Sequence, residues 1–435
     1  MDDQPIPLTI PRQEHPISRR FIDPDALKVL YRLNNQGFVA YLVGGCVRDL
    51  LLGKTPIDFD VVTDAHPQQI RELFRNSRLI GRRFRLAHVY FRGGKFIEVS
   101  TFRRRSEFDE EGPEDRPQSE NTFGTPAEDA FRRDITINGI FYNIVNFSLL
   151  DYVGGLEDLR RGVIRCIGDP EEKFVHDPVR MIRVIRHAAR TRFTIEEKTY
   201  QSLIGHVEKV RLCSPGRVRE EFLRELREGA AKESMHLMLQ TGMLFALFPP
   251  FLLPLRAAGQ KDYFLKIVAT FDDLSLSGNT LAEEFCLALF LLPLLEFYCP
   301  ADDLPLGRKG QALFQQRVRE WILETLGPLQ FTRYAREMAS HLLSSQRIFR
   351  EFLPPRKLPL RFMRKPYFPQ ARQLFEIGAR ARGEAPEMVS WPAEERKSLR
   401  RKRKRRNRKK KKGTAFSGQG PGEQQKQTLS QIPNL

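Results

Sequence analysis

The stretch from Gly44 to Asp60, GGCVRDLLLGKTPIDFD, opens on two glycines, runs through a short apolar segment and closes on two aspartates that flank one phenylalanine. Residues i and i+2 of a strand point the same way, about 7 Å apart. Read within a strand over 57–62, Asp58 and Asp60 share one face and Phe59 packs on the other. Two like charges so placed repel unless a cation lies between them. Mg²⁺ is commonly held by one or two carboxylates together with substrate phosphates. Upstream, a strand over 38–43 runs into Gly44-Gly45, where the backbone is free to approach a ligand closely. A short helix over 47–52 follows, and a helix N-terminus offers free N–H groups and a positive dipole end to phosphate. Arg48 adds a cationic fork. A triphosphate cradle of Gly44, Gly45 and Arg48 is therefore expected beside a metal pair, Asp58 and Asp60, with Mg²⁺ or Mn²⁺ as the ion. In isolation, a glycine turn and two solvated surface acids would read the same way.

Working outward, Asp23-Pro24 starts a helix, with Asp as N-cap and Pro in the first turn. Leu86 to Phe91 and Lys95 to Phe102 read as a hairpin around Gly93-Gly94. Helices and strands alternate to about residue 155, which predicts an α+β head with a mixed sheet. Beyond Asp169 strand signals fade, and amphipathic patterns over 178–192, 215–229, 282–298 and 310–326 predict an all-helical remainder. The expected organisation is a disordered segment 1–20, a catalytic head 21–160, a helical neck 161–230 that binds nucleotide and RNA, a helical body and tail 231–392, and a disordered basic arm 393–435.

Composition narrows the function. The chain has 435 residues and a formal charge of +18. Arg396 to Lys412 alone holds 14 Lys and Arg and no acid. Such a block cannot pack and attracts polyanions. Five scattered cysteines without ligand spacing fit a reducing cytoplasm and neither disulfides nor zinc. The N-terminus lacks the basic and apolar regions of a signal peptide. The most apolar run, Phe285 to Phe297, is too short to span a bilayer. A cytoplasmic protein without a membrane partner is expected.

Several ordered motifs carry a resemblance. LVGGCVRDLLLGKTPIDFDVVT, FIEVSTFR (96–103), AFRRDITINGIFYN (130–143), DYVGGLEDL (151–159), FVHDPVRMIRVIRHAA (174–189) and SPGRVREEFLREL (214–226) resemble the signatures of class II template-independent nucleotidyltransferases, the family of tRNA CCA-adding enzymes and bacterial poly(A) polymerases. The resemblance implies attack of an RNA 3′-hydroxyl on the α-phosphate of a nucleotide, with release of pyrophosphate. It implies Asp58 and Asp60 as metal-binding catalytic acids, with Glu98 or Asp134 as the third carboxylate. Each also has a plain reading, an exposed strand acid and a helix-start acid paired with Arg132 or Arg133. Arg103, Arg132 and Arg133 are implied at the sugar and phosphates. Asp177, Arg180 and Arg183 are implied at the nucleobase, where a carboxylate beside an arginine suits the edge of adenine or cytosine and leaves guanine and uracil unpaired. Without that role, Asp177 and Arg180 would be an ordinary i,i+3 surface ion pair. The family usually has an acid where His176 stands here.

RLIGRRFRLAHVYF (78–91), with Arg82, Arg83, Phe84, Arg85 and His88, resembles the stretch that marks the poly(A) polymerase branch. LRFMRKPYFPQARQLFEIGARARGE (360–384) and the basic arm resemble that branch as well. The expectation is therefore adenylylation of RNA 3′ ends from ATP, promoting mRNA turnover, by a monomer that associates with RNA-decay proteins. The alternatives are a tRNA nucleotidyltransferase adding CCA or part of it, and a catalytically inactive RNA-binding adaptor.

Overall fold

A computed structural model describes residues 5–81, 85–104, 123–278, 281–354 and 356–385. The basic arm and Arg82, Arg83 and Phe84 lie outside the described residues. In the head, eight strands form one mixed sheet: β1 (Leu8–Ile10), β2 (Ala40–Val43), β3 (Asp60–Thr63), β4 (Ser77–Ile80), β5 (Leu86–Tyr90), β6 (Phe96–Thr101), β7 (Ile140–Asn143) and β8 (Leu149–Asp151). Their order is β1-β8-β7-β2-β3-β6-β5-β4. Every neighbouring pair is antiparallel except β3 and β6, which run parallel.

Helix α1 (Pro24–Asn35) begins as the sequence suggests. The Asp23 carboxylate accepts the N–H groups of Asp25 and Ala26 at 2.8 and 3.4 Å, a cap worth about 1 kcal/mol. Its buried Ala26, Val29, Leu30 and Leu33 pack with Phe59, Val61, Ala87, Val89, Ile97 and Val99 on one face of the sheet. Helices α2 (Gly45–Leu51) and α3 (Pro67–Leu73) contribute Val47 and Ile70 to the same core. The other face carries a smaller cluster, Val43, Val62, Phe102 and Phe141 against Ala130 of α4 (Pro126–Arg132).

Two expectations in the head are corrected. Residues 5–20 are ordered rather than disordered: β1 pairs with β8, Ile10 and Ile17 enter the core, and a ring nitrogen of the buried His15 lies 2.8 Å from the carbonyl of Phe147. The apolar residues between the prolines have a core to reach. The strand expected over 57–62 starts only at Asp60, and Ile57 is 83% exposed.

Helix α5 (Gly155–Arg161) ends the head and docks on the turn Thr136–Asn138. The Asp151 carboxylate accepts N–H groups from Val153, Gly155 and Leu156 at 3.0, 3.1 and 2.8 Å. The Thr136 hydroxyl donates to Asp158 at 2.7 Å. Beyond lie α6 (Pro170–His176), α7 (Val179–Thr191), α8 (Glu197–His206) and α9 (Pro215–Arg227), then body helices including 260–276, 283–291, 307–326, 333–351 and 368–381. The remainder is not wholly helical as expected: β9 (Val163–Ile164) and β10 (Thr194–Ile195) pair in parallel, because Arg192 closes α7 in a left-handed conformation and turns the chain back. Neck and body share one continuous core. Phe290, within the fully buried run Phe285–Leu291, touches Phe222 of α9, Phe248, Phe251 and Phe264, with centroids 4.6 to 6.0 Å apart. Among the described residues, no helix is long and apolar enough to cross a membrane.

Helices α7 and α9 are joined by a ladder of charge. Glu221 accepts from Arg183 at 2.8 Å and from Arg186, and Glu228 accepts from Arg190 at 2.8 Å. Glu225, buried on the same helix, is bonded to the Ser234 hydroxyl, while its Oε1 has no hydrogen-bond partner among the described residues. Burial pushes the Glu225 carboxyl from 4.5 up to about 8, with Arg186 and the Ser234 bond opposing and Glu228 and Glu221 assisting.

Two predictions concern stability. A Cβ on Gly155 would stand 2.2 Å from the carbonyl oxygen of Thr136, so Gly155→Ala should cost about 1–3 kcal/mol in chemical denaturation, as overpacking does. Glu225 keeps its proton in the folded chain and loses it in the unfolded chain between about pH 4.5 and 8. Its contribution to stability is therefore whole below pH 4.5, declines as pH rises and levels off above pH 8. Glu225→Gln should flatten that decline, as measured by denaturation across this range.

Candidate active site

Parallel pairing of β3 with β6 sets Asp60 directly beside Glu98. Alternation along each strand puts both on the face opposite Val61 and Val99, which are buried. Asp58 lies just before β3, exposed. The two aspartates therefore do not share a strand face as expected, yet their charges still meet. The Asp60 carboxyl is pushed up to about 7, first by burial, then by the charges of Glu98 and Asp58, with Arg133 opposing. Three acids thus converge, and Arg133 offsets part of their charge at Asp60.

Above Asp60 lies the glycine turn. Gly44 has φ +80, and a Cβ there would stand 3.6 Å from Asp60 Oδ2 and 3.8 Å from Arg133 Nη1. Only a residue tolerant of positive φ carries the chain from β2 into α2 at this point. Arg133 and Arg132 are both gripped by the fully buried Asp129, at 2.8 Å each, which holds Arg133 over the Phe141 ring, 5.7 Å from its centroid. Asp129 also accepts the backbone N–H of Arg103 at 3.3 Å. Its carboxyl is pushed up by burial but drawn lower overall by Arg133 and Arg132. Asp129 was not singled out in the sequence, although its spacing of three and four residues from the two arginines was a usable signal.

Other expected site residues are committed elsewhere. Arg48 is 2% exposed, and its guanidinium donates to Asp49 at 2.8 and 2.9 Å and to Asn138 at 2.9 Å. It braces the turn from beneath rather than offering a free fork: a Cβ on Gly45 would be 3.5 Å from Arg48 Nη2. The ring of His187 on α7 completes this contact between head and neck, 3.3 Å from Arg48 and 3.2 Å from Asn138. Burial, and then Arg48, Arg186, Arg190 and Arg183, hold His187 well below its usual pKa, so it stays neutral.

Asp134 does not join the acids. Arg180 and Arg183 hold its two carboxylate oxygens at 2.7 and 2.9 Å. Burial would raise this carboxyl, but the two arginines outweigh it and hold it below the ordinary range. The side chain that stands next to Asp60 is Glu98. Arg183 is divided between Asp134 and Glu221, which makes it a structural link. Arg180 also donates to the backbone carbonyls of Arg132 and Arg133, each at 3.3 Å. Asp177 closes α6, so it and Arg180 lie on two helices rather than one face. One Asp177 oxygen is held by Arg217 of α9 at 2.8 Å, with Arg180 at 3.6 Å, and its Oδ1 is buried without a hydrogen-bond partner among the described residues. An unmet buried acceptor of this kind is costly unless a ligand donor fills it. The sequence pointed to 214–226 as a support but not to Arg217.

Among the described residues, no group of three or more His, Cys, Asp or Glu forms a ready-made metal cage. The donor set nevertheless fits Mg²⁺, which takes one or two carboxylates and completes its shell from phosphate and water. Such an ion would offset the charges of Glu98 and Asp58 that add to burial in raising Asp60.

Residues 40–165 match the model of the poly A polymerase head domain, and residues 192–253 match that of a probable RNA- and SrmB-binding site of polymerase A. Over 250 residues the chain is 48% identical to Poly(A) polymerase I of Salmonella typhi, covering 55% of this chain and 53% of that protein. It is 36% identical over 216 residues to the CCA-adding enzyme of Lactobacillus helveticus, covering 50% and 53%. The chain spans about half the length of the curated relatives it matches. The Bacillus stearothermophilus CCA-adding enzyme, solved in complex with CTP, shares the fold with a TM-score of 0.59 at 23% identity, covering 87% of this chain and 82% of that one. Residues 40–165 and 192–253 thus match, in order, a poly A polymerase head domain and an RNA-binding segment of polymerase A, on a fold shared with a CCA-adding enzyme.

Proposed function

We propose that the chain is a polynucleotide adenylyltransferase that transfers AMP from ATP to RNA 3′-hydroxyls without a template. The bond formed joins the 3′ oxygen to the α-phosphorus. The bond broken frees pyrophosphate, and the hydroxyl proton is released. The observation that carries this reading is the convergence of Asp58, Asp60 and Glu98 beneath the Gly44 turn, with Arg133 at its edge. Asp58 and Asp60 are the residues to hold Mg²⁺ or Mn²⁺, which when bound would stabilise charge on the attacking and leaving oxygens. Gly44 and Gly45 let the backbone approach the triphosphate. Arg133, aimed by Asp129, offsets negative charge there. The unpartnered Oδ1 of Asp177 is an acceptor for the amino group that adenine and cytosine both present, and Arg217 fixes its direction.

The preference for ATP and for varied RNA ends is supported by the 48% identity to Poly(A) polymerase I. It is also supported by the basic arm 393–435, whose grip on phosphates should fall steeply with salt. A cytoplasmic monomer working with RNA-decay proteins in mRNA turnover follows from the family resemblance alone.

The chain with Mg²⁺ and one labelled nucleotide at a time should give long ladders from ATP on unstructured RNA. One to three additions confined to tRNA lacking its 3′ end would favour CCA addition, and RNA binding without incorporation would favour the adaptor. Asp60→Ala should reduce incorporation below detection while RNA retention in a gel-shift assay is unchanged. Arg217→Ala should loosen the Asp177 carboxylate, raising the KM for ATP several-fold and narrowing the ATP-to-CTP incorporation ratio.

A further inference from the structure

The face of the sheet that bears the acids does not stop at them. Asp60 of β3, Glu98 of β6, His88 of β5 and Arg78 of β4 are successive register partners, a row from the acids to the edge strand. Beside it, Phe96 and Tyr90 are register partners on the same face. His88 lies flat against Phe96, with ring centroids 4.0 Å apart and planes at 13°. Tyr90 meets His88 edge-on at 6.2 Å and Phe96 at 6.0 Å, and the Arg78 guanidinium stands 5.6 Å from the Tyr90 centroid.

Neither core accounts for these side chains. The alternate residues Ala87, Val89, Ile97 and Val99 fill the core behind the sheet, and the smaller cluster on the acidic face contains none of the four. Phe96 is 45% exposed while its neighbour Ile97 is 2% exposed. An aromatic surface in an open position, with an arginine at its far end and the acids at its near end, has the composition of a single-stranded nucleic-acid platform: rings for bases and a cation for phosphate.

We propose that Phe96, Tyr90, His88 and Arg78 seat the 3′-terminal nucleotides of the RNA acceptor, with bases stacked on the rings and Arg78 at a backbone phosphate. This rests on the transferase reading above. A terminal nucleotide on Phe96 lies next to Glu98, so its hydroxyl is delivered to the acids from the edge of the sheet. Stacking needs unpaired bases and tolerates any base, which suits an enzyme whose product becomes its next acceptor. A protein docked on this face would have to bury the Asp58, Asp60 and Glu98 carboxylates, an unfavourable exchange.

The full chain is assayed with a short single-stranded oligoadenylate, with KM for the oligomer and for ATP determined separately. Phe96→Ala should raise the KM for the oligomer about tenfold or more, with the KM for ATP unchanged, and Phe96→Trp should restore it. Independently, 4-thiouridine placed at the 3′ end of the oligomer should crosslink to the segment 86–96 of the unsubstituted chain. An unchanged oligomer KM in both Phe96→Ala and Tyr90→Ala, or a crosslink confined to other segments, overturns the proposal. Absence of incorporation by the unsubstituted chain would instead count against the transferase reading, and the crosslink then judges the seat by itself.

Discussion

The site depends on one pairing. If β6 slipped by one residue against β3, Glu98 would turn into the core and Asp60 would lose its neighbour, since a one-residue slip reverses every side chain of a strand. The parallel register is enforced from behind, where Val61 and Val99 are partners within the core formed by α1 and α3. Hydrophobic burial on one face thus holds carboxylates together on the other against their own repulsion. Burial first, and then the charges of Glu98 and Asp58, push the Asp60 carboxyl up to about 7.

Charge elsewhere in the molecule is arranged so that this repulsion is not simply cancelled. Of the arginines near the acids, Arg132 and Arg133 answer to Asp129, and Arg180 and Arg183 answer to Asp134. Arg133 also draws the raised Asp60 carboxyl down, and among the described residues no salt bridge joins the two. Had an arginine closed on Asp60, the carboxylate would be ionised but occupied, with no oxygen left for a cation. Asp129 and Asp134 therefore do more than stabilise: they keep guanidinium groups near the acids and off them.

The local parts of this design were legible in the sequence. The Asp23 cap, the glycine turn, the hairpin around Gly93-Gly94 and the helical pattern of the second half all follow from neighbours within a few residues. What escaped depends on distant partners. Arg48 meets His187 139 positions away, and Arg183 meets Asp134 across 49. No local pattern says whether such an arginine faces a ligand or another side chain. Asp58 was misplaced for a subtler reason: the alternation of Ile57, Asp58, Phe59 and Asp60 imitates a strand, but Ile57 has no core to face. In the segment 1–20, expected to be disordered, Ile10 and Ile17 enter a core built by distant residues, which no local pattern shows.

The chain of ion pairs from Asp134 through Arg183, Glu221 and Arg186 to Glu228 and Arg190 links the head's Arg-Arg-Asp motif to two neck helices. Buried ion pairs add little net stability, because desolvation offsets most of their attraction, whereas losing one partner strands the other at a cost of about 3–5 kcal/mol. Their value lies in geometry: Arg183 is set between Asp134 and Glu221, Arg186 between Glu221 and Glu228, and Arg190 against Glu228. Arg180 is thereby fixed against Asp134 and two head carbonyls, and Asp177 against Arg217, before any nucleotide arrives. A transferase without a template has no complementary base to organise its pocket. On the proposed reading, the pocket must be organised by the protein alone, and this ladder, rather than the hydrophobic core beneath it, is the part of the fold that does so.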